Sequence, residues 1–410
     1  MSQSAVFVLS SPLIEHSGEL FLGDECYRQT IEQNRPRIGD PLVVARVRSS
    51  LQVEGRTRLS ELGARLAMRL PEFGRRPLLA ALAAWRRVCL SRRLAADLAA
   101  VASRAAFVYA DNPSPEAWLA ARAAEEAAVP LIYEMRGEPL PLSYLGPRFG
   151  LAGLAYALAG RLMDDRVRRK AAAGLYVSDF LMHQYPVGGA DSAAIPDLRL
   201  GEIPDALPKM YSSPARRFLY VGSVDRIKRI ELLLGGLTEA RGHLGEDWRL
   251  NVVGDGPDLQ RLMSMSKTLG LERNVVFRGR VKWGPELFRY YRESDLFLLT
   301  SLTEGGAPPR AAAEAMSFGL PVLSTPLGGI AAWLPAEAVF DSTRPEAVGR
   351  KIASASRDCE CLTRWSKFSV EWARTMKRRS LHREREEFFA RQLNHASWGP
   401  ALASPDAVCP

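Results

Sequence analysis

Short runs of β-branched, aromatic and aliphatic residues recur along the 410-residue chain, separated by longer stretches whose apolar positions fall at helical spacing. The runs at residues 5–9, 42–47, 106–109, 131–134 and 174–177 predict strands. A second set does so at 217–221, 249–253, 275–278, 296–299 and 321–324. Helical patterns lie at 227–237, 257–269 and 310–318. The tail, 369–393, reads as a single charged amphipathic helix with Trp372, Met376, Phe388 and Phe389 on its apolar side. Strand–helix alternation of this kind predicts an α/β fold of parallel sheets built from βαβ units. Residues 188–214 carry Pro196, Pro204, Pro208 and Pro214 with little helical periodicity, and they divide the chain near its middle. The expected organisation is an amino domain over 1–203, a carboxyl domain over 204–375, and a terminal helix and tail over 376–410, with a cleft between the two α/β halves.

Composition narrows this picture by exclusion. Hydrophobic residues make up 47% and charged residues 25%, the balance of a folded protein rather than a disordered one. The five cysteines are odd in number and scattered, which predicts no disulfide framework and a cytoplasmic setting. Residues 4–9 are apolar with no basic region before them and read as a first strand, not a secretory signal. The longest apolar stretch, 149–160, is too short for the roughly 20 residues of a spanning helix. A soluble protein, or one lying on a membrane surface, is expected.

The net charge of +9 allows an anionic partner without naming one. Residues 61–104 hold nine Arg against three acidic residues, a net +6, with Leu66, Leu70, Leu78, Leu79, Leu82, Trp85, Leu90 and Leu94 at near-helical spacing. Such a segment either lies on anionic lipid or packs on a sheet with its arginines in water. A second basic cluster at 161–170 adds to the first reading. The arginines are not interleaved with a stacking platform, so nucleic acid is not expected as a partner.

Most of the chemical signal sits between Phe218 and Gly329. Residues 218–229, FLYVGSVDRIKR, end a strand at Gly222 and open a helix near Ile227. Lys228 then falls in the first helical turn, where a cation is unfavourable for the helix dipole and a bound diphosphate would explain it. Residues 250–257, LNVVGDGP, run from a strand into a turn, but no third glycine follows at the offset of a dinucleotide fingerprint. That turn is read as architectural. Gly279 and Arg280 close a further strand whose backbone could border a flat nucleobase. In 301–325 a strand ends at Glu304, and Gly305, Gly306 and Ala307 can offer N–H groups to an anion or a sugar hydroxyl. A helix starting at Pro308 or Pro309 places Glu314 about 9 Å along its axis, so that both carboxylates border one pocket. Gly328 and Gly329 form the next strand-to-helix turn, on the edge where open α/β sheets bind ligands.

Together these residues resemble the family-4 glycosyltransferases of the GT-B fold, also called glycosyl transferases group 1. The likeness covers about 204–345 in motif order and spacing, and is looser in the amino half, at 131–137 and 174–178. It implies two facing Rossmann-like domains with the terminal helix returning to the amino domain. It implies a retaining enzyme that moves a sugar from a nucleotide-diphosphate donor to a saccharide or lipid-linked acceptor, in bacterial polysaccharide or glycolipid assembly, with no metal or other cofactor.

By the resemblance, Lys228 neutralises the donor diphosphate and Glu314 holds the ribose hydroxyls. Glu304 with Gly305, Gly306 and Ala307 holds the sugar, and Arg280 with its neighbours lines the base. Gly222, Ser223, Arg226, Gly279, Gly328 and Gly329 complete the donor site. Lys228, Glu304 and Arg136 form the catalytic set. Three departures stand out. Ser223 replaces the arginine expected beside the diphosphate, where Arg226 or Arg229 could substitute. Glu304 and Glu314 are ten positions apart, a longer interval than the family pattern has. Arg136 stands where the amino-half site commonly has a histidine. His16, in the loop after the first strand, is either an acceptor contact or a plain surface histidine. The competing readings are a non-catalytic relative acting as a binding subunit, and a nucleotide-sugar epimerase.

Overall fold

A computed structural model describes residues 4–22, 27–28, 30–32, 41–50, 56–71, 89–112, 114–139 and 142–394, with the side chains of the last stretch described from 151 onward except at 152, 153 and 156. The chain forms two compact units. The amino unit comprises residues 1–196 together with 381–410, and the second comprises Asp197–Ser380. The expected junctions at 203/204 and 375/376 thus fall at 196/197 and 380/381.

In chain order the amino unit contains β1 (Ser4–Val8), β2 (Leu13–His16), β3 (Glu19–Phe21), β4 (Leu42–Ser49), β5 (Arg65–Leu70), β6 (Ala105–Asp111), β7 (Leu131–Met135), β8 (Ala173–Tyr176) and β9 (Asp191–Ala194). They form one sheet in the order β3-β2-β4-β1-β6-β7-β8-β9, with β5 also on β4. Apart from the antiparallel hairpin β2–β3, every pairing is parallel. The strand order reverses direction at β1, which lies between β4 and β6. Helices open where the sequence supplies a cap. Ser91, Ser114 and Ser178 each accept from the backbone N–H three residues on, at 3.1, 3.1 and 3.2 Å.

The second unit contains β10 (Arg217–Val221), β11 (Arg249–Val253), β12 (Val275–Gly279), β13 (Leu296–Leu299) and β14 (Val322–Ser324), all parallel, in the order β12-β11-β10-β13-β14. Its central strands β10 and β13 are nearly continuous apolar runs because both faces are covered, whereas the edge strand β12 carries exposed Arg278. Phe218, Tyr220, Leu250 and Val252 enter one core, and Leu219, Val253, Phe297 and Leu299 enter the other.

Three expectations are corrected. The tail is two helices, Cys359–Arg378 and Leu381–Asn394, because Arg379 leaves helical geometry at φ −67°, ψ 127°. Trp372 and Met376 consequently pack on the second unit, while Phe388 and Phe389 enter the core of the amino unit. That last feature is the terminal return expected of a GT-B fold. The supposed basic helix over 61–104 begins instead with strand β5, whose exposure alternates with the period of a strand. Among its described residues 89–90 and Arg92–Ala102 are helical, and 72–88, with Arg75, Arg76, Arg86 and Arg87, lie outside them. His16 ends strand β2 rather than lying in a loop. Cys89, Cys359 and Cys361 are free thiols; Cys26 and Cys409 lie outside the described residues.

Candidate active site

The residues singled out in the second unit follow the carboxyl ends of its five strands, and the strand order reverses at β10, between β11 and β13. This is the edge at which open α/β sheets bind ligands.

Lys228 does not sit in a helix. Residues Arg226–Lys228 form a single 3₁₀ turn, Arg229 takes a left-handed conformation (φ 51°), and the helix starts at Ile230. Asp225 builds the turn by accepting from the N–H groups of Ile227 and Lys228 at 3.0 and 3.3 Å. The exit of β13 then ties the turn down. Thr300 Oγ1 donates to the carbonyls of Lys228 and Arg229 at 3.1 Å each, and the Leu302 N–H donates to the Ile227 carbonyl at 2.7 Å. Lys228 Nζ reaches both carboxylate oxygens of Glu304 at 2.7 Å, and Ser301 donates to the same carboxylate. A lysine and a glutamate 76 positions apart are thereby joined in a half-buried ion pair.

Ser223 donates to Asp225 at 2.7 Å. Arg226, a candidate substitute for the missing arginine, lies 3.6 Å from buried Asp258, which Arg261 also holds at 2.7 Å. Arg229 donates to the Thr343 carbonyl at 3.4 Å. The Gly254–Pro257 turn is architectural, as its sequence suggested: a Cβ on Gly254 would stand 1.8 Å from the Gly222 carbonyl oxygen. Val224 N–H donates to the Asp255 carbonyl at 3.0 Å, stapling the two strand-end loops together.

Gly305 and Gly306 both have left-handed backbones (φ 71° and 76°), which side chains disfavour, and this double turn carries the chain from Glu304 toward the next helix. The Gly305 N–H donates to Thr303 Oγ1 at 3.2 Å. That helix, Arg310–Ser317, places Glu314 where Trp283 Nε1 donates to one carboxylate oxygen at 3.0 Å and the Tyr291 hydroxyl to the other at 2.8 Å. Burial pushes the Glu314 carboxyl above its usual range, against the pull of both donors. Trp283 and Tyr291 were not legible as site residues, since nothing in a loop tryptophan or a helical tyrosine marks a carboxylate partner. Gly279 ends β12 with a left-handed backbone (φ 68°), and Arg280 beside it is exposed. Gly328 and Gly329 precede a short 3₁₀ turn after β14.

Arg136 and His16 belong to the amino unit. Arg136 follows β7 and donates to the Tyr109 hydroxyl at 3.1 Å and to Glu134 at 3.2 Å, with its guanidinium 4.9 Å from the ring centre of Tyr27. Arg385, from the terminal helix, donates to the same Glu134 oxygen and to Thr30 at 3.0 Å. Burial drives Glu134 upward, but the two guanidiniums outweigh it and hold the carboxyl at about 2. Asp111, at the end of β6, accepts from Ser10 Oγ at 3.1 Å and from the Tyr27 hydroxyl at 2.9 Å. Arg136 thus stands in a buried polar cluster at the ends of β6 and β7. His16 stands apart from that cluster, on the edge hairpin, with Nδ1 3.0 Å from the Ser50 carbonyl. Among the described residues no group of three or more His, Cys, Asp or Glu is placed to hold a metal ion.

Fold and site together define a two-unit α/β protein of the GT-B type. Residues 215–358, within the Asp197–Ser380 unit, match the family model for glycosyl transferases group 1. Protein CapJ of Staphylococcus aureus is 26% identical over 219 residues, which are 48% of this chain and 52% of that protein. The lipopolysaccharide 1,6-galactosyltransferase of Salmonella typhimurium is 33% identical over 114 residues, 26% of this chain and 29% of that enzyme. The matches to these relatives therefore span about half their length or less. Among solved structures, Anabaena HepE crystallised with UDP aligns over 95% of this chain and 99% of its own, with a TM-score of 0.63 at 17% identity, a likeness of fold.

Proposed function

We propose that the chain is a retaining glycosyltransferase that moves a sugar from a nucleoside-diphosphate donor to a saccharide or lipid-linked acceptor, in the assembly of a bacterial polysaccharide or glycolipid. The observation that carries the reading is Lys228, a cation fixed at the strand-order reversal of a group 1 domain. The relatives named for lipopolysaccharide galactosyl transfer, and the UDP bound to the HepE fold, support the substrate class.

The chemical task is to stabilise charge on a departing diphosphate. In the proposed reaction the bond from the sugar's anomeric carbon to the diphosphate breaks, and a bond from that carbon to the acceptor oxygen forms on the same face. The acceptor's proton passes to the departing phosphate oxygen. Lys228 meets the growing negative charge, and a preorganised cation of this kind lowers the barrier more than the same cation in water. Its pairing with Glu304 keeps it in position beforehand. When the donor enters, Lys228 exchanges one carboxylate partner for phosphate, which frees Glu304 to accept from the sugar hydroxyls. Glu314, already held by Trp283 and Tyr291, keeps further lone pairs for the ribose. Arg226 supplies a second cation near the diphosphate in place of the residue that Ser223 replaces. In the amino unit Arg136 contacts the sugar, and His16 is an acceptor-side contact. No metal is assigned a role.

Incubation with a panel of nucleotide sugars and candidate acceptors tests this reading. Release of a nucleoside diphosphate with formation of a glycoside of unchanged anomeric configuration is expected. Donor isomerisation without an acceptor, or nucleotide-sugar binding with no turnover on any acceptor, would replace it with an epimerase or a binding subunit.

A further inference from the structure

The helix Leu142–Lys170 has two faces of different kind. Its inner face is anchored in the amino unit: buried Asp164 accepts from the Tyr133 hydroxyl at 2.6 Å and from Arg168 Nε at 2.9 Å, and Ala157 and Val167 are buried on the same side. On the opposite side Leu151, Leu154, Leu158 and Leu162 are 86, 44, 57 and 59% exposed. Intervals of three, four and four residues put all four on one stripe, roughly 16 Å long at 1.5 Å per residue. One exposed leucine needs no explanation, whereas an unbroken stripe of four on a water-facing helix does. Basic residues frame the stripe at its carboxyl end. Arg161, Arg166 and Arg169 are exposed there, with Asp165 as the acidic partner of Arg169. Arg168 turns inward to Asp164 and does not belong to this face.

We propose that this helix docks the protein on an anionic bilayer surface, the leucines entering the acyl boundary and the arginines meeting headgroup phosphates. Charge selects this occupant. A second copy of the chain would bring the same arginines against one another, and a chain of net charge +9 is repelled by its own kind. A membrane offers opposite charge over a flat area that matches a long helix face. The helix lies on the surface, since none among the described residues is long and apolar enough to cross a membrane. Docking is independent of the proposed glycosyl transfer.

Flotation of the full chain with phosphatidylcholine vesicles, with and without phosphatidylglycerol, tests it, and no sugar donor is present. Binding is expected to the anionic vesicles, to be weak on the neutral ones, and to fall with added salt. The pair Leu151→Ser and Leu158→Ser should weaken binding by about tenfold or more, as loss of two buried leucines implies. The pair Arg161→Gln and Arg166→Gln should weaken it about fivefold per arginine. All four sites are exposed, so thermal melting of each variant should match the parent. Absence of binding to anionic vesicles overturns the proposal. So does unchanged binding by the leucine variant, or a dimer in solution that the same leucine substitutions abolish.

Discussion

Lys228 is positioned through its backbone as much as through its charge, because Asp225, Thr300 and Leu302 hold the turn on which it stands. Lys228→Ala therefore removes a cation without unmaking the turn. Sugar transfer should fall on the order of 100-fold or more, the loss typical of one preorganised charge-stabilising group, while the melting temperature falls modestly, because Glu304 loses its cation but keeps the Ser301 hydroxyl. Steady-state rates with a saturating acceptor would read this. Glu314→Gln is the complementary test. The amide can keep its oxygen on Trp283 Nε1 and donate to the Tyr291 hydroxyl oxygen, so the local bonds survive, but a neutral amide is a weaker acceptor for the ribose hydroxyls than the carboxylate. Nucleotide affinity should drop by roughly tenfold or more, and calorimetry on the variant would measure it. Gly254→Ala should instead act through the fold. A Cβ 1.8 Å from the Gly222 carbonyl oxygen must separate the two strand-end loops, so stability should fall by about 1–3 kcal/mol or more in urea.

The terminal helix Leu381–Asn394 is the element on which the amino unit depends most plainly. Phe388 and Phe389 are fully buried, with Phe389 stacked on Phe107 at 5.9 Å, and Arg385 is buried against Glu134. Truncation after Ser380 would remove both rings from the core and leave Glu134 with Arg136 as the remaining one of its two guanidiniums, a loss of about 3–5 kcal/mol for each ring. The truncated chain should melt well below the parent or fail to remain in solution. Glu134 also gives the unit a pH signature. Its carboxyl is held at about 2 in the fold against an ordinary value of 4.5. The stabilisation is therefore complete above about pH 4.5 and is lost as pH falls from there toward 2. An acid-unfolding curve that lacks this limb in Glu134→Gln, measured against that variant's own lower starting stability, is the expected result.

The same elements show how far the sequence could be read. Strands β10, β11 and β13 match their predicted ranges residue for residue, because burial on both faces keeps them largely apolar. Strands β2, β3, β5 and β9 were missed because they are short, lie toward the margins of the sheet and carry polar residues. In β5 the spacing of Leu66 and Leu70 also imitates a helix. The split of the tail at Arg379 and Ser380 was hidden because both helices are charged and amphipathic, and only their different partners distinguish them. Of the site, the glycines, Lys228, Glu304 and Glu314 were legible through motif order. The pairing of Glu134 with Arg385 was not, since 251 positions separate the two and only the returning chain brings them together.

At the scale of the molecule, two parallel-sheet units each gather polar groups at the carboxyl ends of their central strands. The second holds Lys228 and Glu304, and the first holds Asp111, Glu134 and Arg136. The net charge of +9 then resolves into separate parts: Lys228 and Arg226 at the strand-order reversal of the second unit, and the arginines beside the exposed leucines of Leu142–Lys170. A ligand that binds only the folded second unit should stabilise it by mass action. The most direct test of the account is calorimetric titration of UDP and the other nucleoside diphosphates into the whole protein and into Lys228→Ala. At least one should bind the parent, and the variant should bind it about 10- to 100-fold more weakly, the loss of one charge-assisted contact. Equal affinity in the two proteins, or no binding to the parent, would contradict it.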